Sequence, residues 1–314
     1  MRQRAVILDH DGGHDDLLVV LMLLAMPHID LRGIVVTPAD CYLGPAVSAT
    51  QKILRWAGRS DIEVAKGRLH GVNAFPSEWR AAPYAVDALP MLNDSDAPLG
   101  VALDEPGDVY LARKLREATS PITLLITGPV SNLTAVLDAE PALADRIEEV
   151  VWMGGALHVT GNVRTHEHDG SAEWNAFWDP PAVERLWRTN VPITLVPLDA
   201  TNLVPVSYDF LHRLARQRQH PLSDLAGQIW AMTVGRIPAY DYIYFMWDTL
   251  TAGYLGAPQL LTMNDVQTAI DVDSPSAGRT RPVESGGKVV RAAISVDVAA
   301  FHDYLLALLR TSLA

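Results

Sequence analysis

The sequence predicts an α/β fold built on a single open, mostly parallel sheet flanked by helices. Short, continuously apolar segments alternate with longer amphipathic ones, and no Ser/Gly-rich linker or internal repeat interrupts this order. Strands that are apolar along their whole length are typical of parallel sheets covered by helices on both faces. The chain of 314 residues is long enough for one large domain. We therefore expect residues 1–314 to form a single domain.

The predicted strands fall into two groups. The earlier ones are short apolar segments: Ala5–Leu8, Leu31–Thr37, Ile62–Ala65, Ile122–Ile126, Val150–Met153 and Ile193–Val196. The later ones, Val266–Val272 and Lys288–Val296, alternate apolar with polar residues, as half-buried strands do.

The helices are predicted from amphipathic spacing and from acidic residues at their starts, such as Asp15 and Asp16 before a ten-residue apolar segment. They are Asp15–Met26, Pro45–Trp56, Asp108–Ala118, Ser131–Leu137, Pro181–Arg188, Asp209–Gln217, Leu222–Val234, Asp248–Leu255 and Ala299–Leu309. Two connections, Gly67–Pro106 and Gly154–Asp179, are too long for ordinary α/β turns. Long connections inside a compact domain usually carry function.

Composition and charge exclude several classes of protein. The formal net charge of −12 disfavours a nucleic-acid partner, and 49% hydrophobic against 20% charged residues disfavours disorder. The one cysteine, Cys41, excludes an intrachain disulfide and a cysteine-based zinc site. The apolar segment after Arg2 and Arg4 stops at Asp9, which is too short for a signal peptide, and the ten apolar residues Leu17–Met26 cannot cross a bilayer. We therefore expect a cytoplasmic protein without a membrane partner.

An acidic cluster follows the first predicted strand. Asp9, Asp11, Asp15 and Asp16 place four carboxylates within eight residues, at the sheet edge where open α/β proteins bind ligands. Carboxylates crowded in this way repel one another unless a cation is present, and oxygen-only ligands favour Ca²⁺ or Mg²⁺. The spacing fits neither an EF-hand nor a dinucleotide-binding glycine motif. A phosphohydrolase with Asp9 as nucleophile remains open, because such enzymes also place D-x-D-G after their first strand.

Five motifs in order resemble those of the nucleoside hydrolase family. They are Asp9-x-Asp11-Gly-x-x-Asp15-Asp16, Thr127-Gly128-Pro129-x-Ser131-Asn132, Met153-Gly154-Gly155 with Gly161-Asn162-Val163, Ala172-Glu173-Trp174-Asn175 with Asp179-Pro180, and Trp247-Asp248-x-Leu250-x-Ala252. The resemblance implies the fold of that family, which has a Rossmann-like core. It also implies Ca²⁺-dependent hydrolysis of the N-glycosidic bond of ribonucleosides, and assembly into homodimers or homotetramers.

Departures from the commoner motifs resemble the purine-specific subgroup of this family. Asp40 stands where many members have Asn, Trp247 where many have His, and Trp79 lies in the first long connection. In that subgroup two tryptophans enclose the base, which implies a preference for purine nucleosides. Gly13 differs from the subgroup, which often has Asn there.

The resemblance also implies a role for each matching residue. Asp11 would be the general base that takes a proton from the attacking water. The metal would be held by Asp11, Asp16, Asp248 and the backbone carbonyl of Thr127. The substrate would be bound by Asp15, Asp40, Trp79, Asn162, Glu173, Asn175 and Trp247.

Some assignments stay open at the level of sequence. Indole has no usable acid, so the proton donor to the departing base is undecided among His10, Tyr240, Asp241 and Tyr242. His166 and His168 are expected to be surface histidines rather than metal ligands. Besides a purine hydrolase, we consider a hydrolase of broader inosine-uridine preference and a non-enzymatic nucleoside-binding protein.

Overall fold

The computed structural model describes residues 3–100, 102–234 and 243–313, and it confirms the predicted α/β architecture. Its strands are β1 (Arg4–His10), β2 (Ile29–Val36), β3 (Val64–Lys66), β4 (Ala102–Pro106), β5 (Ile122–Ile126), β6 (Ile147–Met153), β7 (Ile193–Val196), β8 (Leu261–Asp271), β9 (Arg279–Pro282) and β10 (Lys288–Val296). All of them belong to one sheet in the order β4-β3-β2-β1-β5-β6-β7-β10-β8-β9.

Helices cover both faces of this sheet. They are α1 (His14–Ala25), α2 (Leu43–Trp56), α3 (Ala82–Asp87), α4 (Gly107–Glu117), α5 (Ser131–Ala139), α6 (Trp174–Trp178), α7 (Pro180–Trp187), α8 (Leu198–Thr201), α9 (Tyr208–Ala215), α10 (Pro221–Val234), α11 (Trp247–Gly256) and α12 (Val298–Leu308). Within the three described ranges, none of these helices is both long and apolar enough to span a membrane.

The core consists of two apolar layers, one on each face of the sheet. Val6 and Leu8 of β1 pack with α1, α2, α10, α11 and α12, whereas Ile7 packs with α4, α5 and α7. Neighbouring strand residues point to opposite faces, so both faces of β1 must be apolar. This explains why the central strands are apolar along their whole length.

The strands at the two ends of the sheet were missed or mispredicted. β4 lies inside the connection predicted to be a long loop, and its sequence Ala-Leu-Asp-Glu-Pro is too polar to predict a strand. β9 is Arg-Thr-Arg-Pro, and β8 begins at Leu261 rather than Val266. β8 and β9 pair antiparallel, while the strands from β4 to β7 and β10 run parallel. Edge strands tolerate charged residues and proline because one side of their backbone has no partner.

Candidate active site

The predicted site residues converge on one cavity at the carboxyl ends of β1, β5 and β6. The cavity has a volume of about 820 Å³. The predicted residues that line it are Asp11, Asp16, Asp40, Trp79, Thr127, Asn162, Glu173, Asn175, Trp247 and Asp248. They come from both long connections and from all five motifs, so the fold brings together residues that are far apart in the sequence.

Asp11 and Asp16 form the floor of the cavity with the turn after β5. Thr127 Oγ1 donates a hydrogen bond to Asp16 Oδ1 at 2.5 Å, and the Gly13 amide donates to Asp16 Oδ2 at 2.8 Å. The turn needs glycine at position 128, because a Cβ there would lie 2.9 Å from the Cβ of Asp11. Gly13 also lines the cavity, and a side chain at this position would crowd Asp16 Oδ2 at 3.1 Å.

The electrostatics of the cavity favour protonated carboxyl groups. Burial, followed by the charges of Asp16 and Asp40, raises the pKa of Asp11 well above its ordinary value. Burial also raises the pKa of Asp16 to about 6. For Asp248, burial and the charges of Asp16, Asp15 and Asp11 raise the pKa well above the ordinary range. Such a cluster is stable as carboxylates only beside a compensating positive charge.

The donor chemistry of this cluster fits a hard divalent cation. Asp11, Asp16, Thr127 and Asp248 all line the cavity and carry oxygen atoms, and oxygen ligands are those that Ca²⁺ and Mg²⁺ prefer. Within the described part of the chain, no three Asp, Glu, His or Cys side chains already have the spacing of a metal site. The fit therefore rests on the type and number of oxygen donors that face the cavity.

Asp15 lies behind the cavity wall, where it joins two helices. Its Oδ2 accepts hydrogen bonds from the backbone amides of Asp248 at 2.7 Å and Thr249 at 3.1 Å, and its Oδ1 accepts from Thr249 Oγ1 at 3.0 Å. Asp15 is fully buried and is not among the described residues that line the cavity. In this structure its carboxylate fixes the start of α11, which carries Asp248 and Trp247.

Asp9 is also held inside the protein. Thr37 Oγ1 donates to its Oδ1 at 2.7 Å and Asn132 Nδ2 donates to its Oδ2 at 3.0 Å. The side chain is 3% exposed, and burial raises its pKa to about 7. A nucleophile must reach its substrate, so this arrangement argues against the phosphohydrolase hypothesis.

The second long connection supplies further polar groups to the cavity wall. The carboxylate of Glu173 caps α6 by accepting a hydrogen bond from the backbone N–H of Asn175 at 2.8 Å, and it accepts another from the backbone N–H of Gly155 at 2.9 Å. Burial raises the pKa of Glu173 to about 7. Asn175 Nδ2 donates to the Thr127 carbonyl at 3.0 Å, and Asn162 Oδ1 accepts from the Trp174 amide at 3.2 Å. These contacts hold the side chains rigidly at the cavity wall.

Aromatic side chains form two further parts of the wall. Trp79 packs edge-to-face on Trp174, with ring centroids 5.4 Å apart. Trp247 packs on Tyr244 at 4.7 Å and on Phe245 at 5.8 Å. Both Trp79 and Trp247 are half-buried, so each retains surface that faces the cavity.

The remaining histidine and tyrosine assignments have mixed outcomes. His10 is fully buried, and its Nε2 lies 3.2 Å from Thr50 Oγ1. Burial lowers its pKa to about 3, so near pH 7 the ring is neutral and has no extra proton to donate. Tyr240, Asp241 and Tyr242 lie outside the described residues. His166 is exposed as predicted, but the prediction for His168 is wrong. The side chain of His168 is 4% exposed and its Nε2 lies 2.9 Å from the Ala277 carbonyl oxygen.

Sequence reasoning missed several residues of the wall. His14, Asn202 and Tyr244 line the cavity, and Asn202 contacts Trp247. His14 and Tyr244 lie next to predicted motifs, which is the signal that could have identified them. Asn202 lies in a segment that matches none of the motifs, so only the folded structure reveals it.

The family model described as "Inosine-uridine preferring nucleoside hydrolase" matches residues 6–303. The chain belongs to this family. It is an enzyme that hydrolyses the N-glycosidic bond of nucleosides, as the order of its motifs implied.

Solved structures and curated relatives agree with membership in the nucleoside hydrolase family. The inosine-uridine preferring nucleoside hydrolase from Bacillus anthracis is 38% identical, with a TM-score of 0.92 over 98% of this chain and 99% of that chain. The purine-preferring ribonucleoside hydrolase from Gardnerella vaginalis shares the fold, with a TM-score of 0.81 at 24% identity over 98% of this chain and 98% of that chain. The pyrimidine-specific ribonucleoside hydrolase RihA of Shewanella oneidensis is 29% identical over 86% of this chain and 83% of its own length.

Proposed function

We propose that this nucleoside hydrolase prefers purine ribonucleosides and releases the free base and ribose. The observation that carries the proposal is the position of Trp79 and Trp247, which line the same cavity as Asp11. Indole surfaces stack on nucleobases, and a bicyclic purine offers more overlap than a pyrimidine. A purine also has an imidazole nitrogen that can accept a proton as the base departs.

In the proposed mechanism Asp11 accepts a proton from the attacking water. Asp16, Asp248 and the Thr127 carbonyl would hold Ca²⁺ together with Asp11. The bound cation would supply the positive charge that keeps these carboxylates ionised and lowers the pKa of a water molecule beside them.

The sugar would be bound by the polar part of the wall that the second long connection supplies. Asn162, Glu173 and Asn175 present amide and carboxyl groups that suit ribose hydroxyls, and Asp40 lines the cavity beside Asp11. Asp15 would act indirectly, because its carboxylate fixes the start of α11, whose residue Asp248 lines the cavity. Rigid polar groups of this kind orient the sugar and stabilise positive charge that develops on it.

A broader inosine-uridine preference is the second candidate function. It is favoured by the name of the Bacillus anthracis enzyme, the relative with 38% identity. The names of the RihA protein of Shewanella oneidensis and the RihB protein of Shigella flexneri go further, because both are called pyrimidine-specific. The two candidates differ in whether uridine is a good substrate.

One substrate comparison tests these proposals. The kcat/KM values of inosine, adenosine and guanosine are measured beside those of uridine and cytidine, with p-nitrophenyl phosphate as the control for phosphohydrolase activity. We expect the purine nucleosides to give the higher values and the phosphate ester to remain intact. Equal values for inosine and uridine would favour the second candidate, and a preference for uridine would overturn the purine assignment. Binding of inosine without release of ribose would instead indicate a non-enzymatic binding protein.

We further propose that residues 1–314 form one domain, which the single sheet of the described residues supports. We also propose that the protein is cytoplasmic and assembles into a homodimer or homotetramer. Cell fractionation and light scattering of the purified protein test the location and the oligomeric state.

A further inference from the structure

Asn202 lies at the end of α8 and contacts the indole of Trp247. Trp247 Nε1 donates a hydrogen bond to Asn202 Oδ1 at 3.1 Å. An indole nitrogen can only donate, so the oxygen of the Asn202 amide must face it. Both side chains line the cavity.

The backbone around Asn202 fixes its position relative to Trp247. The Met246 amide donates to the Val204 carbonyl at 2.8 Å, and the Val206 amide donates to the Tyr244 carbonyl at 2.8 Å. These bonds join the segment after α8 to the segment before α11. The backbone that carries Asn202 is therefore held in place whether or not the indole is bonded to its side chain.

The start of α8 is fixed as firmly as its end. Asp199 accepts hydrogen bonds from the backbone amides of Leu157 and His158, each at 2.8 Å. The Leu198 amide donates to the Gly155 carbonyl at 2.9 Å. This helix is thus joined to the loop after β6, which supplies Thr160, Gly161 and Asn162 to the cavity wall.

Among the described residues, the ring of Trp247 is restrained by aromatic contacts and by the hydrogen bond of its one N–H group. Tyr244 and Phe245 pack on it at interplanar angles of 66° and 57°. Aromatic contacts tolerate small rotations of the ring, whereas a hydrogen bond weakens steeply as its angle departs from linear. The bond to Asn202 is therefore the contact that specifies the orientation of the indole.

We infer that Asn202 is a positioning residue that holds the indole of Trp247 in the orientation needed to stack on the departing base. This inference rests on the proposed role of Trp247. Asn202 acts through Trp247, so its loss should affect only substrates whose leaving group depends on stacking.

The test compares Asn202→Leu, which keeps the size but removes the acceptor, with Asn202→Asp, which keeps an acceptor. Each variant is assayed with inosine and with p-nitrophenyl riboside, whose leaving group needs no activation. Removal of one hydrogen bond should lower kcat for inosine by about 2- to 10-fold in Asn202→Leu. The activity with p-nitrophenyl riboside should be unchanged, and Asn202→Asp should restore the wild-type ratio of the two activities.

Trp247→Phe breaks the same bond from the other side and serves if Asn202→Leu does not fold. It should lose at least as much kcat for inosine as Asn202→Leu, because the smaller ring also stacks less on the base, and adding Asn202→Leu to it should cause no further loss. An unchanged ratio in Asn202→Leu, or an equal loss in the Trp247→Phe background, would overturn the inference.

Trp247→Ala separates this inference from the proposed function. If Trp247→Ala hydrolyses inosine as well as the wild type, the proposed stacking itself fails. If Trp247→Ala is impaired while Asn202→Leu is not, only the role of Asn202 is wrong.

Discussion

At the scale of single residues, the proposed reaction depends most directly on Asp11. Asp11→Asn keeps the shape of the side chain but cannot accept a proton from water. We expect the variant to fold and bind nucleoside while kcat falls by roughly 10²- to 10⁴-fold, the usual effect of losing a general base. Steady-state kinetics with inosine measure this. Asp145→Asn, an exposed change away from the cavity, is the matched control. Near-wild-type turnover in Asp11→Asn would move the base to another residue, with Asp16 first.

Trp79 and Trp247 carry the predicted specificity. At about 1–3 kcal/mol per stacked base, replacing either by Ala should reduce kcat/KM for inosine by about 5- to 150-fold. If Trp247 activates the leaving group, its loss should lower kcat as well as raise KM. Trp79→Phe keeps an aromatic ring and should lose less than Trp79→Ala. Unchanged inosine kinetics in both Ala variants would contradict the stacking proposal.

The sequence predicts residues of the site where motifs are contiguous, and fails where partners are distant. Asp11 and Asp16 are recognisable because they stand together after an apolar strand. The role of Asp15 at the start of α11 cannot be recognised from the sequence, because its partner Thr249 lies 234 positions further along the chain. Asn202 is invisible for the same reason, since nothing in the local pattern indicates which side chain it will meet.

At the scale of secondary-structure elements, the central strands were predictable because burial on both faces makes them apolar. The edge strands β4 and β9 cannot be predicted in this way, because strands at the ends of a sheet carry charged residues and proline without penalty. The short helix α6 was missed because Glu173, its cap, lies in a polar connection. The two connections predicted to be functional do supply Trp79, Asn162, Glu173 and Asn175 to the cavity.

The junction between α1 and α11 gives a prediction at this scale. Asp15→Ala would leave the amides of Asp248 and Thr249 and the hydroxyl of Thr249 without their buried acceptor. We expect a loss of roughly 3 kcal/mol in the free energy of unfolding, since hydrogen bonds to charged groups contribute about 1.5–3 kcal/mol each and their energies are not additive. Urea denaturation measures the change. Thr249→Val removes one of the three bonds and should cost less. A stable Asp15→Ala protein with a raised KM alone would show that Asp15 acts on the substrate and not on the helix junction.

At the scale of the whole molecule, the sheet concentrates acidic side chains at one edge of a chain that is already negative by 12 charges. The two apolar layers beside the sheet hold these side chains in position, and the packing of those layers does not depend on the charge. The fold therefore holds carboxylates together against their repulsion. A bound cation should then matter for stability as well as for activity.

Removing the cation tests this expectation. If Ca²⁺ binds the carboxylate cluster, EGTA should abolish hydrolysis of inosine and lower the thermal midpoint, and added Ca²⁺ should restore both. A zinc-selective chelator should have no effect, because the proposed ligands are all oxygen atoms. Full activity in a protein verified to be free of metal would contradict the assignment of the metal site.

The size of the Ca²⁺ effect should depend on pH, and the sign follows from the buried acids. Burial raises the pKa of Asp16 to about 6 and that of Asp15 and Glu173 to about 7, above their values in the unfolded chain. The folded protein without metal therefore binds protons more tightly than the unfolded chain. The contribution of these groups to the free energy of unfolding is full below about pH 4 and is lost as the pH rises towards about 7. Burial and neighbouring carboxylates also raise the pKa of Asp11 and Asp248. If Ca²⁺ binds the ionised forms of Asp11, Asp16 and Asp248, protons compete with it. The difference in thermal midpoint between Ca²⁺-loaded and EGTA-treated protein should accordingly grow from pH 5 to pH 8. Calorimetry across this range measures it, and a difference that is constant or that shrinks with rising pH would show that the cation binds elsewhere than at these carboxylates.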